Sequence, residues 1–293
     1  MRFRFICFGL LGLLALSPLS CVPMGQHAPL GSFQGQQEVA ENESPAHFIC
    51  WNVHKASDAV FTEDVRELLD AIPEKNKVTM CLQEVRSTTF DMIKGLHREE
   101  VSGHYAPSWR FAFSGQSTGV MTIGNQPLPD SGIKHIRAPR RELYVASPKV
   151  SLRSEVPLAD GRNLQIVNCH GLNFVPFSVL PDQLEQIFGS LRCSESPAIV
   201  CGDFNVWSER RLKLLNRYAS QAGLVEAQPR GKAHSPAPKW LGWLNRVNGF
   251  DPEIRLDRIF TRGVEVLDCY SHDGSESSDH QPLVLSYRVL PKE

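Results

Sequence analysis

The chain has 293 residues, of which 42% are hydrophobic and 22% charged, and its formal net charge is −1. This is an ordinary globular composition, long enough for one large α/β domain. A protein that grips a duplex backbone by bulk charge is basic, so the composition excludes that class and leaves nucleic-acid contact to a local patch.

The N-terminus reads MRFRFICFGLLGLLALSPLSC. Two arginines precede an apolar stretch from Phe5 to Leu16, and small residues with a proline lead to Cys21. The layout is that of a secretory signal peptide (residues 1–21), with an apolar part too short to span a bilayer comfortably. The ending Leu19-Ser20-Cys21 is similar to a bacterial lipobox, whose cysteine carries lipid, although Pro18 and Leu19 depart from the residues such boxes prefer. The expectation is an exported protein: a cell-envelope lipoprotein held to the membrane by an N-terminal lipid anchor, or a periplasmic or secreted one. A short uncleaved anchor and cleavage at another position are the competing readings. Without residues 1–21 the chain keeps 29 basic and 32 acidic side chains, so it stays slightly acidic. Residues 22–46, rich in Gly, Gln and Pro, read as a flexible linker. Residues 47–290 show no internal repeat and no second linker, and are expected to form one domain.

Along that domain a short β-rich run repeatedly ends in a polar residue. "AHFICWNVHK" (46–55) predicts a strand ending in Asn52 and His54, and "VRELLDAI" (65–72) a helix stopped by Pro73. "VTMCLQEV" (78–85) is a second strand, ending in Gln83 and Glu84; "STGVMTIG" (117–124) and "ELYVASPKVSL" (142–152) are further strands. A DGRN turn before "LQIVNCHGLNF" (164–174) signals a hairpin. A helix runs from Pro181 to Leu191, with proline in its first turn. The strand "AIVCGDFN" (198–205) precedes a helix over 209–223 that Gly223 closes. "IRLDRIFTRG" (254–263), "VEVLDCYSH" (264–272) and "PLVLSYRVL" (282–290) complete the strands. Many strands with few helices predict a mixed α/β fold with packed sheets, and the lack of regular βαβ alternation argues against a Rossmann-type sheet.

Six cysteines lie beyond Cys7 and Cys21. An even count in an exported protein suggests disulfides. Cys50, Cys81, Cys169 and Cys201 sit inside apolar strand-like runs, however, which favours free core thiols. Cys193 and Cys269 are left open.

The polar residues at strand ends are Asn52, Glu84, His170, Asp203, Asn205, Asp257, Asp279 and His280. Carboxylates with an amide and two histidines form the set that phosphoester hydrolysis with a hard divalent cation requires. Carboxylate oxygens suit Mg²⁺, and a histidine near the phosphoryl group donates a hydrogen bond or proton. Each residue alone is weak; a strand-end aspartate is commonly a cap or turn residue.

The ordered motifs "WNVHK" (51–55), "LQEV" (82–85), "NCHGLN" (168–173), "GDFNVW" (202–207), "LDRIF" (256–260) and "SSDHQPL" (277–283) resemble those of the endonuclease/exonuclease/phosphatase superfamily. That group includes DNase I, apurinic endonucleases, neutral sphingomyelinases and inositol-polyphosphate phosphatases. The likeness is strongest to a bacterial branch carrying "NxHGxNF" and "SSDHxPL". It implies a DNase I-like four-layer sandwich: two packed mixed β-sheets flanked by helices, with the site at one end. By motif match, Glu84 is the principal metal ligand, with Asn52 beside it and Asp279 binding the metal directly or through water. Asp203 holds or activates the attacking water, Asn205 steadies it, and His170 contacts the scissile phosphate. His280 faces the phosphate with Asp257 fixing its tautomer. The implied cofactor is Mg²⁺, with Mn²⁺ as the alternative.

His54, Lys55 and Asn173 are candidate substrate contacts, each with a structural role as the alternative. The basic stretch "KHIRAPRR" (134–141) reads either as a phosphate contact or as a solvated loop, and "KWLGWLNRVNGF" (239–250) as a core-packing loop or a cleft rim. Apurinic endonucleases carry a tyrosine where His170 stands, which argues against that specialised activity. The implied function is an exported phosphodiesterase acting on nucleic acid, with a phospholipid or sphingomyelin phosphodiesterase as the alternative. A non-catalytic surface-binding lipoprotein is the reading from another class; such a relic would lose site residues, and none is missing.

Overall fold

The computed structural model describes residues 21–23, 31–35, 44–55, 59–73, 76–96, 101–111, 114–142, 148–231, 255–273 and 275–292. The expected leader before Cys21, most of the linker and the 239–250 stretch lie outside the described residues.

The first half contains β1 (Cys21–Pro23), β2 (Gly31–Phe33), β3 (Ala46–Asn52), α1 (Ala59–Asp70), β4 (Lys77–Arg86), α2 (Ser87–Leu96), β5 (Ser102–Phe111), β6 (Ser117–Gly124) and β7 (Lys134–Arg141). Then follow β8 (Pro148–Pro157), β9 (Asn163–His170), α3 (Leu180–Phe188), β10 (Ala198–Asp203), α4 (Glu209–Gln221), β11 (Val225–Glu226), β12 (Asp257–Arg262), β13 (Val264–Ser271) and β14 (Leu283–Val289). One sheet is ordered β1-β5-β6-β4-β3-β14-β13, with β2 also on β5; the other is ordered β11-β12-β10-β9-β8-β7.

The central strands read as unbroken apolar runs because both of their faces are buried. In β3, Phe48 and Cys50 face the opposite sheet, while Ile49 and Trp51 pack with Phe61 and Leu68 of α1. In β10, Ile199 and Cys201 join the inter-sheet core, and Val200 packs with Leu184, Phe188 and Leu215 of the helical layer. The result is four layers: helices, sheet, sheet, helices. A fully buried Leu or Phe is worth about 1.5–3 kcal/mol of transfer free energy, so these alternating rows dominate the stabilisation.

Cys50, Cys81, Cys169 and Cys201 are buried free thiols; Cys269 is also buried and Cys193 is exposed. Gly202 occupies a position where only glycine fits: its φ is +143°, and a Cβ there would stand 1.9 Å from the Cys169 carbonyl oxygen.

Four elements differ from the sequence-based expectation. The helix expected from residue 65 begins at Ala59. Strand β5 and helix α2 are not among the expected elements. β5 contains Gly103 and Pro107, and the proline sits at a register shift between Pro107 and Trp109, a place where a strand tolerates it. The basic stretch 134–141 is not a loop but the edge strand β7. Two pieces of the expected linker also pair with β5: Val22 opposite Arg110, and Gly31 opposite Tyr105.

Candidate active site

The site begins where the inner rows of the sandwich turn polar. Parallel pairing of β9 with β10 sets His170 beside Asp203, and antiparallel pairing of β10 with β12 sets Asp257 on its other side. In the facing sheet, parallel pairing of β3 with β4 aligns Asn52 with Gln83, one residue before Glu84. Asn52, His170, Asp203, Asn205, Asp257 and His280 are all buried.

Asp203 is a fixed acceptor. Its Oδ2 accepts from Asn52 Nδ2 at 3.1 Å and from Asn205 Nδ2 at 3.3 Å, while Oδ1 accepts from the Asn205 backbone N–H at 2.9 Å. Asn52 thereby joins the two sheets across the cleft. Asn205 holds a left-handed φ of 52° and also donates to the Gly171 carbonyl at 3.0 Å. His54, Lys55 and Glu84 are left-handed too, with φ of 44°, 63° and 56°. Such non-glycine conformations cost about 1–3 kcal/mol each and collect where a site over-determines its backbone.

Glu84 lies within β4 at a register shift between Leu82 and Val85, and meets three cations or potential cations. Lys55 Nζ donates to Oε2, while Lys149 Nζ and His170 Nε2 lie 3.9 Å and 3.7 Å from Oε1. Burial works against the Glu84 charge, but Lys149 and Lys55 outweigh it and hold the carboxyl well below the usual carboxylate range. His170 is pushed the other way: burial and the Lys149 ammonium depress it to about 3 against the pull of Glu84 and Asp203. Lys149 Nζ lies 2.7 Å from His170 Nε2, and an ammonium only donates, so Nε2 is the accepting nitrogen of a neutral ring.

On the far side of Asp203, His280 Nδ1 donates to Asp257 Oδ2 at 2.5 Å, which leaves Nε2 directed away from the carboxylate. Burial opposes the imidazolium, yet Asp257, aided by Asp203 and Asp279, raises it to about 10. The second Asp257 oxygen is buried and unpartnered among the described residues, so its charge is poorly solvated and directed at the histidine. The His280 loop is pinned from three directions. Trp51 Nε1 donates to the His280 carbonyl at 2.9 Å, Ser278 Oγ donates to the Asn52 carbonyl at 2.6 Å, and Asp64 Oδ2 accepts from the Glu276 and Ser277 backbone N–H groups at 3.1 and 2.9 Å.

The remaining candidates sit at the periphery. His54 Nδ1 and Asp279 Oδ1, both exposed, lie 3.3 Å apart above the buried group. Asn173 is engaged within its loop: its Oδ1 accepts from Trp207 Nε1 at 3.0 Å, and its N–H donates to Glu142 at 2.7 Å. Residues that the sequence reading missed hold the arrangement together. Arg211 donates to the carbonyls of Leu172, Asn173, Val175 and Asn205, clamping the His170 and Asp203 loops. Lys149 stands at a strand's entry, whereas the polar residues that mark the site in sequence stand at strand exits. Its signal was the pair Pro148-Lys149 opening an apolar run.

The donor chemistry suits a hard divalent cation: Glu84, Asp279 and Asn52 offer oxygens, and no thiolate is among them. Among the described residues no three His, Cys, Asp or Glu side chains converge on one metal point, and the Glu84 charge that a cation would neutralise is met by Lys55.

Two packed mixed sheets flanked by helices, with amide-oriented carboxylates and a carboxylate–histidine pair at one end, define a phosphoester hydrolase of DNase I-like fold. The chain belongs to the Endonuclease/Exonuclease/phosphatase family, whose sequence profile matches residues 49–280. Members of that family hydrolyse phosphoester bonds and generally depend on a divalent metal. A UPF0294 protein of Vibrio vulnificus is 28% identical over 275 residues, covering 90% of this chain and 86% of its own. An endonuclease/exonuclease/phosphatase family protein from Bacteroides thetaiotaomicron superposes with a TM-score of 0.61 at 12% identity, over 85% of this chain and 99% of that one. D. rerio TDP2, solved in complex with single strand DNA product, superposes with a TM-score of 0.53 at 15% identity, over 84% of this chain and 100% of that one.

Proposed function

We propose that the chain is an exported, Mg²⁺-dependent phosphodiesterase whose substrate class is nucleic acid. One observation carries the hydrolytic reading: Glu84 and Asp203 come from opposite sheets, and His170 Nε2 lies 3.7 Å from each. A phosphodiester seated there meets a charge-holding carboxylate on one side and a water-orienting carboxylate on the other.

Asp203, fixed by Asn52 and Asn205, takes a proton from the attacking water as the new O–P bond forms; the leaving P–O bond breaks with its electron pair going to the leaving oxygen, which takes a proton from solvent water. His280, protonated at neutral pH, donates from Nε2 to a phosphoryl oxygen, and Asp257 keeps it charged. Neutral His170, whose Nε2 accepts from Lys149, holds that ammonium at the cleft, where it meets the phosphate from the other flank. Glu84, with Asn52 and Asp279, would hold Mg²⁺ or Mn²⁺, which supplies Lewis-acid charge neutralisation at the phosphate. The DNA in the TDP2 complex belongs to that protein; here the nucleic-acid reading draws support from basic and aromatic residues beside the cleft.

One observation favours phospholipid instead. Cys21, the expected lipidation site, pairs with Phe111 at the site end of β5, so an acyl chain there would bring the cleft to a membrane. The test is hydrolysis by the purified chain of bis(p-nitrophenyl) phosphate, plasmid DNA, RNA and sphingomyelin, each with Mg²⁺, Mn²⁺ or EDTA. Cleavage of the small diester and of DNA or RNA, abolished by EDTA, is expected. Sphingomyelin turnover alone would move the substrate to lipid, and inactivity on every substrate would leave a binding protein. A Cys21→Ser variant that stays on the membrane as the parent does would remove the lipid anchor from the reading.

A further inference from the structure

We infer that the cleft continues into a cationic strand-end track, formed by Lys149, Arg110, Arg140 and Arg141 with Trp109 beside them, that holds a nucleic-acid strand beyond the scissile phosphate. The inference rests on the hydrolase reading above and deepens it by assigning the basic stretch of β7 to the substrate.

Topology puts these residues at one end. β8 runs antiparallel to β9, so its first residues lie at the end where His170 sits. β7 runs antiparallel to β8, and its last residue, Arg141, pairs with Pro148, next to Lys149. In the other sheet, β6 is antiparallel to β4 and β5 to β6, which returns Trp109, Arg110 and Phe111 to the level of Glu84. The two sheets meet here, since Ser108 Oγ donates to the Pro148 carbonyl. Trp109, Lys149, Glu84 and His170 line a common pocket.

Charge distinguishes this end from the rest of the surface. Elsewhere surface arginines are spent on acids or on aromatic rings: Arg230 on Asp268, Arg288 on Glu265, Arg210 over Phe177 and Arg217 over Tyr218. Arg110, Arg140 and Arg141 are exposed, and among the described residues no carboxylate pairs with them. Neighbouring strands lie about 4.8 Å apart, so cations on β7 and β5 reach anions adjacent to the scissile phosphate rather than the scissile phosphate itself. A single phosphoryl group needs none of them; a chain of phosphates uses all of them. Trp109 is half-buried, packed edge-on against Phe111 with centroids 4.3 Å apart, and offers a rigid face for a base. The chain's net charge of −1 makes this concentration local, as the composition required.

The test uses the full chain and two variants at exposed positions, Arg140→Gln with Arg141→Gln, and Arg110→Glu. Fluorescence anisotropy of a labelled single-stranded oligonucleotide in EDTA reads the track without turnover. Weaker binding is expected, with the log–log salt slope reduced by about 0.7 for each arginine contact removed. In steady state, the preference for oligonucleotide over bis(p-nitrophenyl) phosphate should fall about tenfold, chiefly through KM. Salt slopes and preference matching the parent would overturn the track. So would a parent that cleaves the small diester yet binds no oligonucleotide, which leaves the hydrolase intact. Loss of binding to phosphatidylglycerol vesicles in the variants, with no oligonucleotide binding by the parent, would also overturn it and give the surface to lipid. Oligonucleotide binding that the variants weaken, in a parent inactive on both substrates, would keep the track and sink the hydrolase.

Discussion

The two buried histidines of the cleft face opposite electrostatic fates. His170 is driven to about 3 and His280 to about 10, although burial lowers both. The difference lies in the nearest partner. His280 has a carboxylate on Nδ1 at 2.5 Å; His170 has an ammonium on Nε2 at 2.7 Å, with its two carboxylates further off at 3.7 Å. Environment therefore divides two identical side chains into a neutral orienting ring and a charged donor, as expected where one site needs both.

The comparison breaks most completely if the two carboxylates flanking His170 are removed. Glu84→Ala and Asp203→Ala are each expected to lower kcat by about 10³-fold or more while the fold survives, since each removes charge directed at the developing transition state. Near-parental turnover with metal present, in a variant of unchanged circular dichroism, would remove these residues from the mechanism.

The next effect isolates the His280 side. Asp257→Asn preserves shape but withdraws the charge that sustains the imidazolium. The rate is expected to fall by roughly 10²-fold, the usual scale of general acid–base assistance. The alkaline limb of the parent's pH–rate profile should follow His280 near 10, and in the variant it should move toward neutrality. A double Asp257→Asn, His280→Ala variant no worse than His280→Ala is expected for residues acting as a unit; additive losses would separate them.

Much of this cleft was legible because the buried strands carry their own parity. Asn52 continues the inner row of Phe48 and Cys50, and Asp203 that of Ile199 and Cys201, so a polar residue at the end of an apolar alternation marks the lip of the sandwich. The supports were not legible. Asp64 reaches Ser277 across 213 residues, Arg211 holds carbonyls up to 39 residues away, and no local pattern announces such contacts. Strand β5 was missed because Gly103 and Pro107 break its alternation, and the left-handed turn at Glu84 because its ordinary strand sequence gives no glycine or asparagine to signal it.

Thermal stability offers a milder test of the same side. A folded-state pKa of about 10 against 6.5 for a free histidine means that the His280–Asp257 contribution is fully present below about pH 6.5 and is lost as pH rises through 10. The Tm gap between the parent and Asp257→Asn should be widest at or below pH 6.5 and narrow toward pH 10. A gap independent of pH would mean that Asp257 contributes packing or a neutral hydrogen bond and not charge.

The smallest expected effect concerns the His170 side and is read at the ring itself. Lys149→Gln removes the ammonium that donates to His170 Nε2 but keeps the polar group and most of the length. Two causes depress His170, burial first and Lys149 second, while Glu84 and Asp203 oppose them. Removing only the second should raise the pKa above 3 and leave it below the ordinary 6.5, because the ring stays buried. ¹⁵N NMR of the metal-free chain across pH 3–8 follows the two ring nitrogens directly. An upward shift with Nε2 remaining the unprotonated nitrogen above the transition is the expected result. A titration identical to the parent's would show that the Lys149–His170 contact does not set the ring's state. A rise past 6.5 would instead show the carboxylates of Glu84 and Asp203 governing His170 as Asp257 governs His280, and the contrast between the two histidines would then rest on one lysine.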